Sequence, residues 1–398
     1  MKIVYASCAC SKRRFFELFP VSENMPGQQV QKYHRLMLEG LARNGVPVIA
    51  LTSAPITRKD YGGIVARIHP DDEHGVHYRY LPIINIPVVK NIVILLSSFA
   101  RTCGYLRDDK EAVVICDVLN FSVSAGALLA AKLLGRNNTG VVTDIPRFLS
   151  DNSNPLFSWL TSFVMMRYDS YVFLTHQMSS LINRRGVPEV VIEGQVDIEM
   201  EARPNGIEAK HEHFVCLYAG AIDRRYGIET LVRGFLDSQI DSSELRIYGR
   251  GDYEEALTAL ARENPRVKYF GVVPNEVVVE EELRATLLVN PRPTSEAFTL
   301  YSYPSKNMEY MVSGTPLLTT ALPGMPDEYK PYLYLLRDET VEGVATALEA
   351  LFGTDRVELH RMGQAARHFV LKEKSNVIQA HRVLMLIKTC RRDGLETN

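Results

Sequence analysis

The feature that most constrains this chain is a twice-repeated alternation of short β-branched runs with longer stretches of helical periodicity. Such alternation is typical of α/β units built around parallel sheets. The first series begins with a predicted strand over 1–7 and a helix over 28–44, where apolar residues recur at helical spacing. The second series begins with a predicted strand at 214–219. We therefore predict two α/β domains.

A polar segment separates the two series. Residues 197–213, DIEMEARPNGIEAKHEH, contain adjacent Pro, Asn and Gly and lack apolar periodicity, so we interpret them as a linker. Residues 376–388 have the pattern of a long amphipathic helix. The predicted domains are 1–200 and 201–375, followed by a C-terminal helix over 376–398.

Composition narrows the class of protein. With 46% hydrophobic and 23% charged residues, the chain resembles an ordinary globular protein, and its net charge of −2 argues against nucleic-acid binding. The slight basic excess of 1–200 suits an anionic lipid or phosphate-bearing partner, although chance variation explains it equally well. Six sparse cysteines and no visible signal peptide indicate a cytoplasmic location. The longest apolar stretch, 81–100, contains two prolines and a lysine, which argues against a membrane span.

The segment 290–327, NPRPTSEAFTLYSYPSKNMEYMVSGTPLLTTALPGMPD, carries the clearest chemistry. Ser305 follows Pro304 as a favoured N-cap, and the amides and dipole of a helix start suit a diphosphate. Lys306 in the first turn is favourable once an anion binds there. Glu309, on roughly the same helix face, can accept both hydroxyls of a ribose. The alternative is an ordinary capped helix with a surface Lys and Glu.

Residues 304–316, PSKNMEYMVSGTP, resemble the donor-site signature of family-4 retaining glycosyltransferases. The nearest form is that of the bacterial capsule and exopolysaccharide branch, P-S-K-x-x-E-Y-M-x-x-G-x-P. The resemblance covers most of 214–392 and, more loosely, 1–200. It implies a GT-B fold, with two Rossmann-like parallel-sheet domains facing across a cleft and a C-terminal helix crossing back. It also implies that Glu309 holds the ribose of a sugar nucleotide and that Ser305 and Lys306 lie by its diphosphate.

One position departs from the family pattern. The family usually has a second Glu eight residues before the ribose-binding one, and Tyr301 occupies that place here. Glu296 lies five residues earlier. Either a loop lets Glu296 reach the donor sugar or backbone amides replace the carboxylate, so we place both Glu296 and Tyr301 at the donor site.

Two glycine turns precede the signature. In 218–228, YAGAIDRRYGI, a strand leads into Gly220 and two arginines, which resembles the family's glycine turn ahead of a basic residue and K-G. Tyr226 occupies the usual Lys position, so we expect Arg224 and Arg225 to bind phosphate, the alternative being two solvated arginines. Residues 247–252, IYGRGD, resemble the family's G-x-G turn under the nucleobase, which assigns Gly249 and Gly251 to donor binding.

The first half offers weaker candidates. Gly27, in the segment MPGQQ, corresponds to a family loop that faces the donor phosphate and the acceptor. Asp144 follows a predicted strand at its C-terminal end, and we assign it to the acceptor or sugar side, a cap or turn role being equally compatible. Asp117 is similar but weaker, and we expect a structural or surface role for His34.

The expected reaction requires no cofactor, and the sequence has no metal-binding motif. Arg224, Arg225, Lys306 and the Ser305 amide are expected to stabilise the leaving diphosphate, with Asp144, Arg225 and Lys306 as catalytic residues. The expected acceptor is a glycan or lipid-linked glycan in surface polysaccharide synthesis, with peripheral contact at the inner face of the membrane. The alternatives are a sugar-nucleotide 2-epimerase and a non-catalytic sugar-nucleotide-binding subunit.

Overall fold

The computed structural model describes residues 1–19, 28–58, 63–145 and 155–396. The chain divides into two compact units. Unit 1 comprises Met1–Gln195 with Asn376–Asn398, and unit 2 comprises Val196–Ser375.

Unit 1 is built on a largely parallel sheet. Its strands in the described residues are β1 (Ile3–Ser7), β2 (Val48–Thr52), β3 (Val65–Ala66), β4 (Asp71–Glu73), β5 (Val76–Tyr80), β6 (Ile83–Ile84), β7 (Val113–Asp117), β8 (Asn138–Val142), β9 (Ser170–Phe173) and β10 (Glu189–Val191). The main sheet has the order β10-β9-β8-β7-β1-β2-β5-β4, while β3 and β6 form a separate antiparallel pair. Only β4 at the edge runs antiparallel to its neighbour. The strands β1, β2 and β7 are buried along their whole length, as expected of a sheet covered on both faces.

The helices of unit 1 connect and cover these strands. They are α1 (Lys12–Leu18), α2 (Gln28–Arg43), α3 (Val89–Asp108), α4 (Phe121–Leu133), α5 (Pro155–Met165), α6 (His176–Ile182) and, from the end of the chain, α13 (Asn376–Glu396). Helices α2 and α13 touch through backbone, because a Cβ built on Gly40 would lie 2.1 Å from Asn376 O. Asn44 Nδ2 also donates to Val377 O at 2.9 Å. The C-terminal helix is therefore part of the core of unit 1.

Unit 2 has a fully parallel sheet. Its strands are β11 (Phe214–Ala219), β12 (Ser243–Tyr248), β13 (Val267–Tyr269), β14 (Leu287–Asn290), β15 (Leu317–Thr320) and β16 (Tyr334–Leu336). Their order is β13-β12-β11-β14-β15-β16. The helices are α7 (Ile228–Asp237), α8 (Glu254–Glu263), α9 (Asn275–Arg284), α10 (Ser305–Ser313), α11 (Val341–Phe352) and α12 (Arg356–Lys374). The predicted linker forms two short 3-10 turns, Ile198–Ala202 and Ile207–Ala209, which belong to this unit.

Candidate functional site

The sheet of unit 2 reverses its strand order next to β11. The chain builds β12 and β13 on one side of β11 and then β14, β15 and β16 on the other. Ligands of open parallel sheets bind at the carboxyl edge beside such a reversal, because the connections leave on opposite faces there. Two segments flank this point, namely the turn 220–227 after β11 and the loop 291–304 after β14.

Of the predicted glycines, Gly220 lies in the first of these segments, and Gly249 and Gly251 lie in the turn after β12 that packs against it. A Cβ on Gly249, whose φ is +129°, would lie 1.8 Å from Gly220 O, and one on Gly251 would lie 2.1 Å from Ile222 O. The turns after β11 and β12 therefore pack backbone against backbone, which no larger residue permits. This packing accounts for Gly249 and Gly251, and donor binding by Gly220, Gly249 and Gly251 stays a prediction.

Helix α10 is fixed at the second flank by hydrogen bonds from its buried face. Tyr310 Oη accepts from Ala219 N at 2.7 Å and donates to Ala219 O at 3.1 Å, at the end of β11. Asn290 Nδ2, at the end of β14, donates to Asn307 Oδ1 at 2.6 Å. The first turn of α10 is therefore held at the carboxyl ends of the two strands that border the reversal.

The prediction that Ser305 is the N-cap of this helix is wrong. The N-cap is Pro304 (φ −64°, ψ 118°), and Ser305 is the first helical residue, with no side-chain capping bond. The fixed φ of proline suits the extended cap position, so the helix begins one residue later. Asn307 N donates to Pro304 O at 2.9 Å. In the described part of the chain, the first turn thus lacks a side-chain cap.

Lys306 and Glu309 form a largely buried ion pair on α10. Lys306 Nζ lies 2.6 Å from Glu309 Oε2, and the two side chains are 20% and 18% exposed. Burial alone would lower the pKa of Lys306, but the charges of Glu309 and of Glu282 on α9 outweigh it and raise that pKa. The ammonium therefore remains charged beside two carboxylates. Glu282 is buried, and no motif in the sequence indicated it.

Arg224 and Arg225 are also paired with carboxylates. Arg225 donates twice to Asp223, through Nε at 3.1 Å and Nη2 at 2.8 Å, and this bonding lowers the pKa of Asp223. Arg224 pairs with Glu229 and lies over the ring of Tyr253, with Cζ 4.7 Å from its centroid. Both guanidinium groups are exposed, so phosphate binding by either would replace or share an existing ion pair.

Glu296 and Tyr301 flank a short 3-10 turn, Ala297–Leu300, in the loop after β14. The pKa of Arg225 is raised mainly by Asp223, and the charge of Glu296 adds to this effect. The loop therefore brings Glu296 near the turn after β11. Its contact with a donor sugar stays a prediction, as does that of Tyr301.

Of the candidates predicted in the first half of the chain, Asp144 lies in unit 1. Asp144 follows the carboxyl end of β8, and its Oδ1 accepts from Ile145 N at 2.7 Å. Burial raises the pKa of Asp144, and this hydrogen bond partly opposes the rise. Gly27 lies outside the described residues.

Unit 1 has its own reversal of strand order, between β1 and β7, and polar side chains meet there. Tyr5 Oη lies 2.8 Å from His34 Nδ1, and His34 Nε2 lies 3.3 Å from Asp117 Oδ2. Cys8 Sγ lies 3.9 Å from the same carboxylate oxygen, and burial together with Asp117 raises the pKa of Cys8 to about 12. The thiol is therefore neutral at physiological pH. Sequence reasoning missed this cluster, because its members come from three separated segments.

Residues 213–354 match the family model described as "Glycosyl transferases group 1". No curated protein sequence matches the chain. The matched segment contains the strand reversal of unit 2, both glycine turns and helix α10.

Solved structures resemble the chain over nearly its whole length. Sucrose-phosphate synthase from Thermosynechococcus elongatus is 16% identical with a TM-score of 0.67, covering 99% of this chain and 100% of that one. HepE from Anabaena, in complex with UDP, is 11% identical with a TM-score of 0.64 and coverages of 98% and 100%. The lipopolysaccharide outer core galactosyltransferase WaaB is 16% identical with a TM-score of 0.62 and coverages of 98% and 99%. The chain thus has the GT-B fold, as predicted, and the family model supports a glycosyl transfer function.

Proposed function

We propose that this protein is a retaining glycosyltransferase that transfers a sugar from a nucleoside-diphosphate sugar to a glycan or lipid-linked glycan, in surface polysaccharide synthesis. The observation that carries the proposal is the position of Glu309. Its partly exposed carboxylate lies on a helix fixed at the carboxyl ends of β11 and β14, where the strand order reverses. A carboxylate there can accept the hydroxyls of a ribose while the helix start faces the diphosphate.

The reaction breaks the bond between the sugar C1 and a diphosphate oxygen, and forms a bond from C1 to the acceptor oxygen on the same face. The departing diphosphate oxygen takes the acceptor proton, so no protein base is required. Arg225, Lys306 and the Ser305 amide stabilise the negative charge that grows on the leaving group. Asp144 acts on the acceptor or sugar side.

The Glu309→Gln variant tests the ribose contact. HepE is a relative in fold whose structures contain UDP and UDP-glucose, so UDP is a suitable first probe beside GDP, ADP and dTDP. We expect the wild type to bind the preferred ribonucleotide of this panel more tightly than its 2′-deoxy analogue. We expect Glu309→Gln to lose about tenfold or more in affinity, because hydrogen bonds to a charged acceptor contribute about 1.5–3 kcal/mol. Calorimetric titration measures both differences.

Glu255→Gln, at an exposed position on α8, is the matched control and should leave both affinities unchanged. If Glu309→Gln binds the nucleotide as the wild type does, the ribose contact is refuted. If the wild type binds no nucleotide of the panel, the proposed function itself fails.

The proposed membrane contact is supported by one face of α5 and the turn that follows it. Trp159 is 61% exposed and stacks on Phe163, which is 42% exposed, with 5.6 Å between ring centroids. Arg167 Cζ lies 4.2 Å from the centroid of Phe163, and the neighbouring Arg185 donates to Met166 O. Exposed aromatic residues bordered by arginines suit an anionic lipid surface. In the described part of the chain, no helix has the length and hydropathy needed to cross a bilayer.

Trp159 is the only tryptophan of the chain, so its fluorescence reports directly on this face. We expect its emission to shift to the blue with phosphatidylglycerol vesicles and much less with phosphatidylcholine vesicles, because the arginines favour anionic lipid. The double variant Arg167→Gln/Arg185→Gln should weaken the shift. An emission spectrum that neither vesicle changes would refute the membrane contact.

A further inference from the structure

Arg292 lies at the same strand reversal, directly after β14 and Pro291. Its carbonyl oxygen accepts a hydrogen bond from Thr320 Oγ1 at the end of β15. A Cβ on Gly227, whose φ is +78°, would lie 2.2 Å from Pro291 O, so the turn after β11 touches the chain just before Arg292. Arg292 is thus fixed where the ends of β11, β14 and β15 meet.

The guanidinium of Arg292 lies against two aromatic rings. Its Cζ is 4.3 Å from the ring centroid of Tyr226 and 5.7 Å from that of Phe298. Its Nε is buried and has no hydrogen-bond partner. Aromatic faces attract a guanidinium, but they leave its N–H donors unsatisfied.

Arg292 differs from the three cations that the sequence pattern indicated. Arg224, Arg225 and Lys306 are each paired with a carboxylate, at Glu229, Asp223 and Glu309. Within the described residues, no carboxylate pairs with Arg292. An anion can therefore bind to Arg292 without breaking an existing ion pair, whereas at the other three cations it would replace or share one.

Burial makes the charged form of Arg292 energetically unfavourable as long as no anion lies beside it. It lowers the pKa of Arg292, an effect that Tyr226 and Tyr218 only partly oppose. A largely buried charge without a counter-ion costs free energy, and an anion beside it recovers that cost. A guanidinium can bind two phosphate oxygens at once, which gives geometric selectivity as well as charge.

We propose that Arg292 binds the diphosphate of the sugar donor, with Tyr226 and Phe298 holding its guanidinium in place. In the family that the turn 218–228 resembles, a lysine stands at the position of Tyr226. Here the ring of Tyr226 supports a cation that comes from the loop after β14 instead. The inference rests on the proposed function and adds the residue that supplies the charge.

The competing explanation is a purely structural one, in which Arg292 only joins the two loops through its aromatic contacts. The two explanations differ in what the arginine recognises. If Arg292 is only structural, replacing it should lower the affinity of every ligand of the site alike. If it binds the diphosphate, replacing it should lower the affinity only of compounds that carry phosphate.

The test compares uridine, UMP and UDP as ligands of the wild type, Arg292→Gln, Arg292→Lys and the control Arg203→Gln. Arg203 is half exposed and pairs with Glu280 on the surface of unit 2. If the protein binds a nucleoside diphosphate with another base more tightly than UDP, the corresponding nucleoside, monophosphate and diphosphate replace the uridine series. Titration calorimetry measures the tighter complexes and NMR titration the weaker ones.

We expect Arg292→Gln to lose about tenfold to a hundredfold in affinity for UDP while its affinity for uridine stays unchanged. Arg292→Lys keeps the charge without the planar fork, so it should bind UDP with intermediate affinity. Arg203→Gln should match the wild type for every ligand.

Equal losses for uridine and UDP would refute the proposal in favour of the structural explanation. Wild-type affinity for UDP in the glutamine variant, or in the lysine variant should the glutamine variant fail to fold, would also refute it. A wild type that binds neither UDP nor another nucleotide would instead refute the proposed function, so the two failures are distinguishable.

Discussion

Charged side chains of unit 2 are held in ways that sequence spacing predicts only in part. Lys306 and Glu309 are three residues apart on a helix, which predicts adjacent side chains, and their charged atoms are 2.6 Å apart. Glu282 lies outside the recognised signature, and its approach to Lys306 depends on how α9 and α10 pack. Arg292 lies in the segment 290–327 but ahead of the signature, and its contact with Tyr226 depends on β11 and β14 being neighbours. Spacing along one helix can be read from a sequence, whereas contacts between elements require the strand order.

Lys210, which we place outside the site, is another residue whose contacts could not be read from the sequence. Its Nζ donates to Leu283 O at 2.8 Å and to Thr315 Oγ1 at 2.5 Å. Burial, with a contribution from the charge of Arg356, lowers the pKa of Lys210 to about 7. The polar segment around it was read as a linker, which gave no reason to expect a buried lysine.

This lowered pKa predicts a pH dependence of stability. Between about pH 7 and pH 10 the unfolded chain keeps a proton on Lys210 that the folded chain has lost, so the free energy of unfolding rises with pH. The slope is at most about 1.4 kcal/mol per pH unit. In Lys210→Met this contribution is absent, so the stability difference between wild type and variant should shift toward the wild type as pH rises. Urea unfolding at pH 7, 8 and 9 measures it.

Lys372→Met, at a position 68% exposed, is the control, and its difference from the wild type should not change with pH. If the stability difference between wild type and Lys210→Met also stayed constant with pH, the lowered pKa of Lys210 would be contradicted. Other groups also titrate in this range, and the comparison of variants cancels their effect.

Whole elements were easier to foresee than their contacts. Helical periodicity predicted a helix over 28–44, and α2 spans Gln28–Arg43. It also predicted a helix from 376, where α13 begins. The contact between the two helices includes the hydrogen bond from Asn44 to Val377, which are 333 positions apart in the sequence. It also requires a glycine at position 40, which helical periodicity does not explain.

Two of the helical glycines, Gly40 and Gly104, should respond oppositely to replacement by alanine. A Cβ at Gly40 would lie 2.1 Å from Asn376 O, so Gly40→Ala should force α2 and α13 apart and cost about 1–3 kcal/mol. A Cβ at Gly104 on α3 has no atom within 4 Å, so Gly104→Ala should gain about 0.5–1 kcal/mol of stability. Thermal unfolding measures both, and an increase in Tm for Gly40→Ala would contradict the close helix contact.

For the whole molecule, the predicted GT-B fold is confirmed by the two parallel sheets and by the structural relatives. The alternation was visible because buried parallel strands read as apolar runs and crossover helices as amphipathic ones. The antiparallel edge strand β4 and the pair β3 and β6 were not foreseen, because two or three residues show no period. Short elements are specified by their neighbours rather than by their own pattern.

The position of α13 has a consequence for biosynthesis. Unit 2 is one continuous stretch, and Val196 N donates to Lys374 O at 3.0 Å where that stretch begins and ends. Unit 1 buries Ala380, Val383 and Leu384, which the ribosome makes after all of unit 2. Because domains fold as units while the chain emerges, unit 1 can complete its core only after the whole of unit 2 has been synthesised. We expect the nascent chain to expose the apolar side of α2 throughout that delay, and therefore to depend on chaperones more than a protein with two consecutive domains.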